Sequence, residues 1–363
     1  MSANPRLRAV ATAVPDNVVE QNDAKGVATM LFGGALGRDA TRLLGVFQNT
    51  GIRRRHVCMP LEWYAQPHTF GEANALYIEH GKELCTLAIQ QVLSETGLTT
   101  RDIDRIVFVS STGVSNPSID ARLTNALGFR SDVRRTPVWG LGCAGGSAGM
   151  MLASDFARAH PQHRVLLVTL ELCSLTFQHG DRTRQNLVAS ALFADGAAVA
   201  LVTGPDAPPL TRSTMPPLEI LGSHSTQLPD SLDVMGWDVD EHGLHVIFSR
   251  DIPTIVRDWV RPALDGFLDR HSFQLSDVKH LAAHPGGPRV LQAYAESLDF
   301  PLERLQHATE VLAEYGNMSS PTCLFVLRSL LDDGLISPGE LVLLTALGPG
   351  FASEMVLLRR VNT

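Results

Sequence analysis

LSDVKHLAAHPGG (residues 275–287) repeats, in weaker form, an earlier stretch of the same chain, TRDIDRIVFVSSTG (100–113). The apolar β-rich run of the first copy, 105–113, leads into a helical stretch, then VWGLGC (138–143), a small-residue helix, RVLLVTLEL (164–172) and AAVALVTG (197–204). The second copy is followed in the same order by ELVLLTALGPG (340–350) and EMVLLRR (354–360). Continuous apolar runs suit strands buried on both faces, and strands alternating with helices imply mostly parallel sheets covered by helices. One α/β unit used twice lets two sheets pack around shared central helices, a five-layer αβαβα arrangement. A single doubly wound sheet without duplication is the alternative. The seam is TGPDAPPLTRSTMPPLEI (203–220), whose prolines interrupt strand and helix patterns, giving halves 1–205 and 206–363.

The bulk numbers set the class. A chain of 363 residues with 44% hydrophobic and 19% charged side chains is that of a soluble globular enzyme. No apolar run approaches the roughly 20 residues of a membrane span, and the N-terminus lacks an apolar signal core, so the expected location is cytoplasmic. The net charge of −8 disfavours a nucleic-acid surface. Small-molecule partners are expected instead.

Five cysteines, at 58, 85, 143, 173 and 323, form no CxxC pair. An odd number without that spacing argues against a disulfide framework and against a structural metal site. Cys143 differs from the rest because Ala144, Gly145, Gly146, Ser147, Ala148 and Gly149 follow it with almost no bulk. A thiol at a helix start feels free N–H groups and the positive dipole end, which favour thiolate. The competing reading is a small buried cysteine in a glycine turn. Cys85, in GKELCTLAIQQVL, reads as helix core, as do Cys58 and Cys323, and Cys173, at the end of LEL, reads as a pocket residue.

Two further positions can serve a thiolate that attacks a thioester, which needs donors for the developing oxyanion and a partner for its own charge. His284 ends the apolar run HLAAH and precedes PGGP, where a buried strand opens into a turn. Asn317 lies in EYGNMSSPTCLFVL, a Gly-Asn turn entering an apolar helix.

Taken together, GCAGG (142–146), AHPGGPRVL (283–291) and EYGNMSS (314–320) resemble the type III polyketide synthases, the chalcone-synthase-like branch of the thiolase superfamily. ALFADGAA (191–198) resembles the family's gatekeeper segment, and ALGPGFASE (346–354) its GFGPG loop, with Leu347 in place of Phe. The resemblance implies a thiolase fold and a chain that condenses malonyl-CoA with an acyl-CoA. Cys143 is then the acyl acceptor, and His284 and Asn317 polarise the malonyl thioester and stabilise the enolate. Coenzyme A thioesters are substrates, and no metal or redox cofactor is implied. A homodimer is.

The same resemblance assigns a substrate cavity. Phe193 matches the gatekeeper phenylalanine, against a core-packing reading, and Val246 stands at the second gatekeeper, implying a wider entrance. Trp237 falls at a cavity glycine of the plant enzymes, Cys173 and Thr176 at cavity threonines, and Ser111 and Thr112 at a polar pair near the active site. Ser319 and Pro349, within EYGNMSS and the GPG loop, belong to the same lining. Asn116 replaces a methionine that reaches into the partner subunit in plant enzymes. Of the CoA-binding basic positions Arg42 is kept, while Gly45 and Asn49 occupy two others. Arg53, Arg54 and Arg55 are the replacement phosphate ligands, unless they form an ordinary solvated charge run.

NTGIRRRH (49–56), SSTGVSNPSID (110–120) and MGWDV (235–239) look closer to bacterial enzymes that extend long-chain fatty acyl-CoA to alkylpyrones or alkylresorcinols. ELCSL (171–175) resembles the tetrahydroxynaphthalene synthases, which use malonyl-CoA alone. Rival readings are a ketoacyl-ACP synthase III, a papain-like hydrolase, which the order and spacing of Cys, His and Asn disfavour, and an inactive acyl-binding paralogue.

Overall fold

The computed structural model describes residues 3–36, 40–249 and 251–362. Its main sheet has nine strands, of which the amino-terminal half supplies β1 (Arg6–Ala13), β2 (Arg105–Val109), β3 (Arg134–Val138), β4 (Arg164–Leu172) and β5 (Asp195–Thr203). The carboxy-terminal half supplies β6 (Leu218–Gln227), β7 (Val278–Ala283), β8 (Leu341–Gly348) and β9 (Ala352–Arg360). The spatial order is β7-β8-β9-β6-β1-β5-β4-β2-β3.

That order exposes the duplication. Reading inward to the seam, β2, β4, β5 and β1 correspond to β7, β8, β9 and β6, with β3 as an extra edge strand. Even the lead-in turns repeat: Thr99 pairs with Asp102 before β2 as Gln274 does with Asp277 before β7, each a capping box. The halves join where β1 meets β6, at Arg6↔Glu219 and Leu7↔Leu218. Between β5 and β6, residues 204–217 form neither strand nor helix.

The expectation of mostly parallel strands is corrected. Only β2/β3, β2/β4 and β7/β8 pair in parallel, whereas β5 runs antiparallel to β1 and β4, and β9 to β8 and β6. A strand buried on both faces reads as the same apolar run in either direction, so composition did not carry this information.

Burial on both faces is visible residue by residue. Ile106, Phe108, Leu166 and Val168 face an outer core with the helix Phe70–Thr96, whereas Val107, Val109, Val165 and Leu167 face the inner one. The helices that matter here are α1 (Gln21–Leu36), α2 (Phe70–Thr96), α3 (Gly145–Ala159), α4 (Arg184–Leu192), α5 (Arg261–Arg270) and α6 (Thr322–Asp332). Helices α3 and α6 touch each other and strands of both halves, α2 covers the outer face of the first half, and α5 packs on β6. The two halves of this one continuous sheet, expected as two separate sheets, are therefore the β layers on either side of α3 and α6, with α2 and α5 outside them. At Gly146 of α3 a Cβ would overlap Ser320 O and the Cys323 thiol, so glycine sets how closely α3 and the segment before α6 approach.

Candidate active site

Cys143 lies between β3 and α3, on the one-turn segment Gly142–Ala144. Gly142 has φ +47°, and a Cβ there would lie 2.8 Å from Pro349 Cδ. Glycine is therefore required on both counts, and Pro349 buttresses the cysteine turn. Among the described residues it does not line the cavity Cys143 faces.

His284 directly follows β7, and its N–H donates to Thr345 O on β8 at 2.8 Å. Asn317 is fixed by its backbone: its N–H donates to Leu192 O at 2.9 Å, and its carbonyl accepts from Ala194 N at 2.9 Å. This makes a parallel bridge with Phe193. The Asn317 side chain accepts from Ser319 N at 2.8 Å through Oδ1, which stands 4.0 Å from Cys143 Sγ. Cys143, His284 and Asn317 are all buried and line one cavity of about 500 Å³. Residues 143, 284 and 317, far apart in sequence, are thus brought together.

Electrostatically the pair is dry. Burial pushes the Cys143 thiol up to about 11, with Glu171 adding to the rise and side-chain interactions with Ser319 and Asn317 opposing it. Burial also pushes His284 down to about 3. Burial thus moves the lone thiol opposite to the direction expected of a cysteine at a helix start. Among the described residues both ring nitrogens of His284 lack a partner, which leaves the imidazole able to accept the thiol proton. Thiol with imidazole and thiolate with imidazolium carry the same net charge, and in a low-dielectric pocket the mutual attraction of the ion pair offsets its desolvation.

Behind the cysteine lies a carboxyl group that the sequence reading passed over. Glu171, near the end of β4, is fully buried and accepts from Ser111 N at 2.9 Å, Ser111 Oγ at 3.0 Å, Thr112 Oγ1 at 2.8 Å and Ser320 Oγ at 3.0 Å. Burial raises it to about 7 against the pull of these donors. Ser111 and Thr112 were expected at the substrate; their hydroxyls are instead committed to Glu171. The signal was an acidic residue inside the otherwise apolar run RVLLVTLEL.

A second space opens beside Phe193. This slot, about 100 Å³, is lined by Cys173, Thr176, Phe193, Trp237 and Val246, and by α1 through Ala24, Val27, Ala28, Leu31 and Phe32. Val246 and Trp237 face each other across the hairpin Met235–Asp240/Gly243–Phe248. Phe248, two residues beyond Val246, brings its ring centroid 5.7 Å from Phe193, and Trp237 approaches to 6.1 Å. Beside the wider entrance expected from Val246, Phe248 approaches Phe193 from the same strand.

Two family models cover the chain nearly end to end: chalcone and stilbene synthases, N-terminal domain, over residues 2–207, and the C-terminal domain over 219–362. The chain belongs to the chalcone and stilbene synthase family, the type III polyketide synthases. It is 40% identical over 356 residues to a Bacillus subtilis (strain 168) protein named "Putative chalcone synthase", covering 97% of each chain. It is 39% identical to 1,3,6,8-tetrahydroxynaphthalene synthase of Streptomyces peucetius subsp. caesius, covering 97% of this chain and 92% of that one. The crystal structure of 1,3,6,8-tetrahydroxynaphthalene synthase from Streptomyces coelicolor A3(2) matches with a TM-score of 0.92 at 31% identity, covering 98% of this chain and 99% of that one.

In this type III polyketide synthase the basic residues expected at coenzyme A redistribute. Arg42 and Asn49 line the main cavity. Arg53 and Arg54 do not: Arg53 pairs with Glu310 at 2.9 Å and Glu314 at 2.5 Å, and Arg54 with Glu314 at 2.5 Å, so their charges are engaged on the surface. Arg55 is buried beneath the end of α4. Two arginines not singled out in sequence, Arg184 and Arg289, are exposed and line the same cavity as Cys143. Among the described residues neither is in an ion pair. No helix among the described residues is long and apolar enough to cross a membrane.

Proposed function

We propose that this type III polyketide synthase extends an acyl group held on Cys143 by repeated decarboxylative Claisen condensation of malonyl-CoA. The preferred starter is a long-chain fatty acyl-CoA and the product an alkylpyrone or alkylresorcinol. The observation that carries this reading is a pair of spaces: one holds Cys143, His284 and Asn317, and the other, walled in part by Phe193, is a mostly apolar slot.

His284 takes the Cys143 proton, the thiolate attacks the acyl-CoA carbonyl, and CoA leaves as a thiolate that regains that proton. Malonyl-CoA then loses CO₂, and its electron pair remains as an enolate on the thioester, whose oxygen accepts hydrogen bonds from the ring N–H of neutral His284 and from Asn317 Nδ2. The enolate carbon attacks the acyl thioester and expels the Cys143 thiolate. Carbon–carbon bond formation here involves no net electron transfer, so no redox cofactor is called for. Arg184, Arg289 and Arg42 at the cavity wall hold the CoA phosphates.

The slot supports an alkyl starter because most of its wall is apolar, with Arg55, Ser174, Thr176 and Asn186 among its polar members. A volume near 100 Å³ accommodates on the order of seven to ten water-sized or methylene-sized groups, so a longer tail has to displace α1 or emerge past it. We place the enzyme in the cytoplasm, as a homodimer in which exposed Val114 and Trp139, beside Asn116, are covered by the second copy. A tetrahydroxynaphthalene-type reaction is the second reading, favoured by Cys173 in the slot and by two relatives of that name.

Mass spectrometry of products from malonyl-CoA alone, or with acetyl-, hexanoyl-, lauroyl- or palmitoyl-CoA, separates these, with Cys143→Ala as control. Alkylated pyrones or resorcinols support the proposal. An aromatic product from malonyl-CoA alone, without alkyl products, moves the assignment to the naphthalene type, and a single ketoacyl product to a synthase III.

A further inference from the structure

Arg55 is a cation with no place in the surface or phosphate roles a charge run suggests. It lies on the short strand Arg54–Val57 and is 3% exposed. Nη1 donates to Ser190 O at 2.8 Å and Phe193 O at 3.0 Å; Nη2 donates to Ala191 O at 2.8 Å and to Gln21 Oε1. Three of the four acceptors are carbonyls at the carboxy-terminal end of α4, groups a helix leaves unpaired and where a cation is favoured. Burial lowers Arg55 to about 10, with Asp195 pulling the other way, so it stays charged at neutral pH.

The acceptors reach both spaces of the site. Gln21 is the first residue of α1, the slot wall, and its Nε2 donates to Phe47 O at 3.0 Å, Thr50 Oγ1 at 2.9 Å and Ala191 O at 3.1 Å. Thr50 lines the main cavity. On the far side, Leu192 O and Ala194 N hold Asn317, whose Oδ1 faces Cys143. One guanidinium thus anchors the backbone on which Phe193 is mounted, and through the Phe193–Asn317 bridge the amide beside the nucleophile.

We infer that Arg55 is a positioning residue for the condensation, setting together the position of Phe193 at the slot wall and the approach of Asn317 to Cys143. This rests on the roles proposed above for Cys143, His284 and Asn317. Lysine keeps the charge but concentrates its three donors on one nitrogen, so it cannot span the four acceptors of the planar fork.

The test uses the full-length chain as Arg55→Lys and Gln21→Met, the second removing one acceptor while leaving the three carbonyls on the guanidinium. Active sites are titrated by iodoacetamide at Cys143, so turnover is expressed per competent site and loss of folded protein drops out. In Arg55→Lys, kcat per site is expected to fall on the order of ten- to a hundred-fold, the size of effect sub-ångström to ångström misplacement produces. KM for malonyl-CoA should hold within about threefold, the ranking of hexanoyl-, lauroyl- and palmitoyl-CoA should change, and Gln21→Met should move the same way by less. Unchanged kcat per site, starter ranking and Cys143 alkylation rate in both variants would overturn the inference. A wild-type enzyme silent with every acyl-CoA, but with Cys143 alkylation altered in Arg55→Lys, would sink the polyketide reading and keep Arg55 as the residue that sets the site.

Discussion

Cys143 Sγ stands 4.0 Å from Asn317 Oδ1, and the same oxygen accepts from Ser319 N at 2.8 Å. The amide is therefore turned with its oxygen toward the cysteine turn, and Nδ2 is left to donate into the cavity. That donor is suited to an enolate oxygen and not to the thiol. Asn317→Ala should consequently lower malonyl-CoA decarboxylation by on the order of 10²- to 10³-fold, as loss of one oxyanion donor does. Acylation of Cys143 by the starter, followed as a stoichiometric burst of free CoA, should survive. Equal loss of burst and decarboxylation would contradict this division of labour.

His284 is the reason Cys143 can react near neutral pH. Each in its own surroundings, the thiol would stand near 11 and the imidazole near 3, yet as a pair they keep one net charge state between those limits wherever the proton sits. Alkylation of Cys143 by iodoacetamide is expected to vary little with pH across the neutral range in the wild type. In His284→Ala the thiol stands alone, so the rate should be slow at neutral pH and climb about tenfold per pH unit toward 11. A variant with the wild-type profile would remove His284 as the proton acceptor.

Glu171 predicts a slope in stability. Its folded value, about 7, is raised above the ordinary 4.5, so between those values the native state binds a proton that the unfolded chain has released. The sign follows: stability is highest below 4.5, falls as pH rises through 7, and is level above it, by on the order of 3 kcal/mol in all. Glu171→Gln cannot ionise and should lack this slope, whatever constant offset its rearranged hydrogen bonds bring. Urea midpoints at several pH values from 4.5 to 8 check it, and parallel curves for the two proteins would assign the slope elsewhere.

Arg184 and Arg289 test the coenzyme assignment. Neutralising either to Ala should raise KM for malonyl-CoA several-fold, about the effect of one exposed charge contact, and leave kcat in place. An N-acetylcysteamine thioester, which has no phosphates, should not register the change. Sensitivity of that short thioester would mean that the arginines shape the cavity instead.

What could be read from the chain and what could not divides on physical grounds. RVLLVTLEL marked β4 to the residue because both faces of that strand are buried, and the repeat survived because each half must cover the same central helices. Cys143, His284 and Asn317 stood out because each ends or begins an element beside turn-forming small residues. Strand direction was hidden, since an apolar run has no polarity. Arg55 and Glu171 were misread or missed for one shared reason: their character comes from partners distant in sequence, Ser190 to Phe193 for one and Ser111 and Ser320 for the other. Phe248 escaped attention because gate position was judged from Val246 alone, although residues two apart share a strand face.

The slot beneath α1 gives the sharpest specificity test. Ala28 is buried on α1, lines the slot, and packs beside Phe32 and Phe47. Leucine at 28 adds three carbons to a space that holds on the order of ten such groups, filling roughly a third of the volume an acyl tail would occupy while leaving Cys143, His284 and Asn317 untouched. Overpacking of this kind costs about 1–3 kcal/mol, which a melting curve measures separately. With Ala28→Leu, lauroyl- and palmitoyl-CoA should lose at least about tenfold in kcat/KM, whereas acetyl- and hexanoyl-CoA stay within about threefold, a discrimination in the range a few methylenes provide. A uniform fall across all starters would mean the slot does not hold the alkyl chain, and the tail would then have to lie in the main cavity beside Leu347 and Met235.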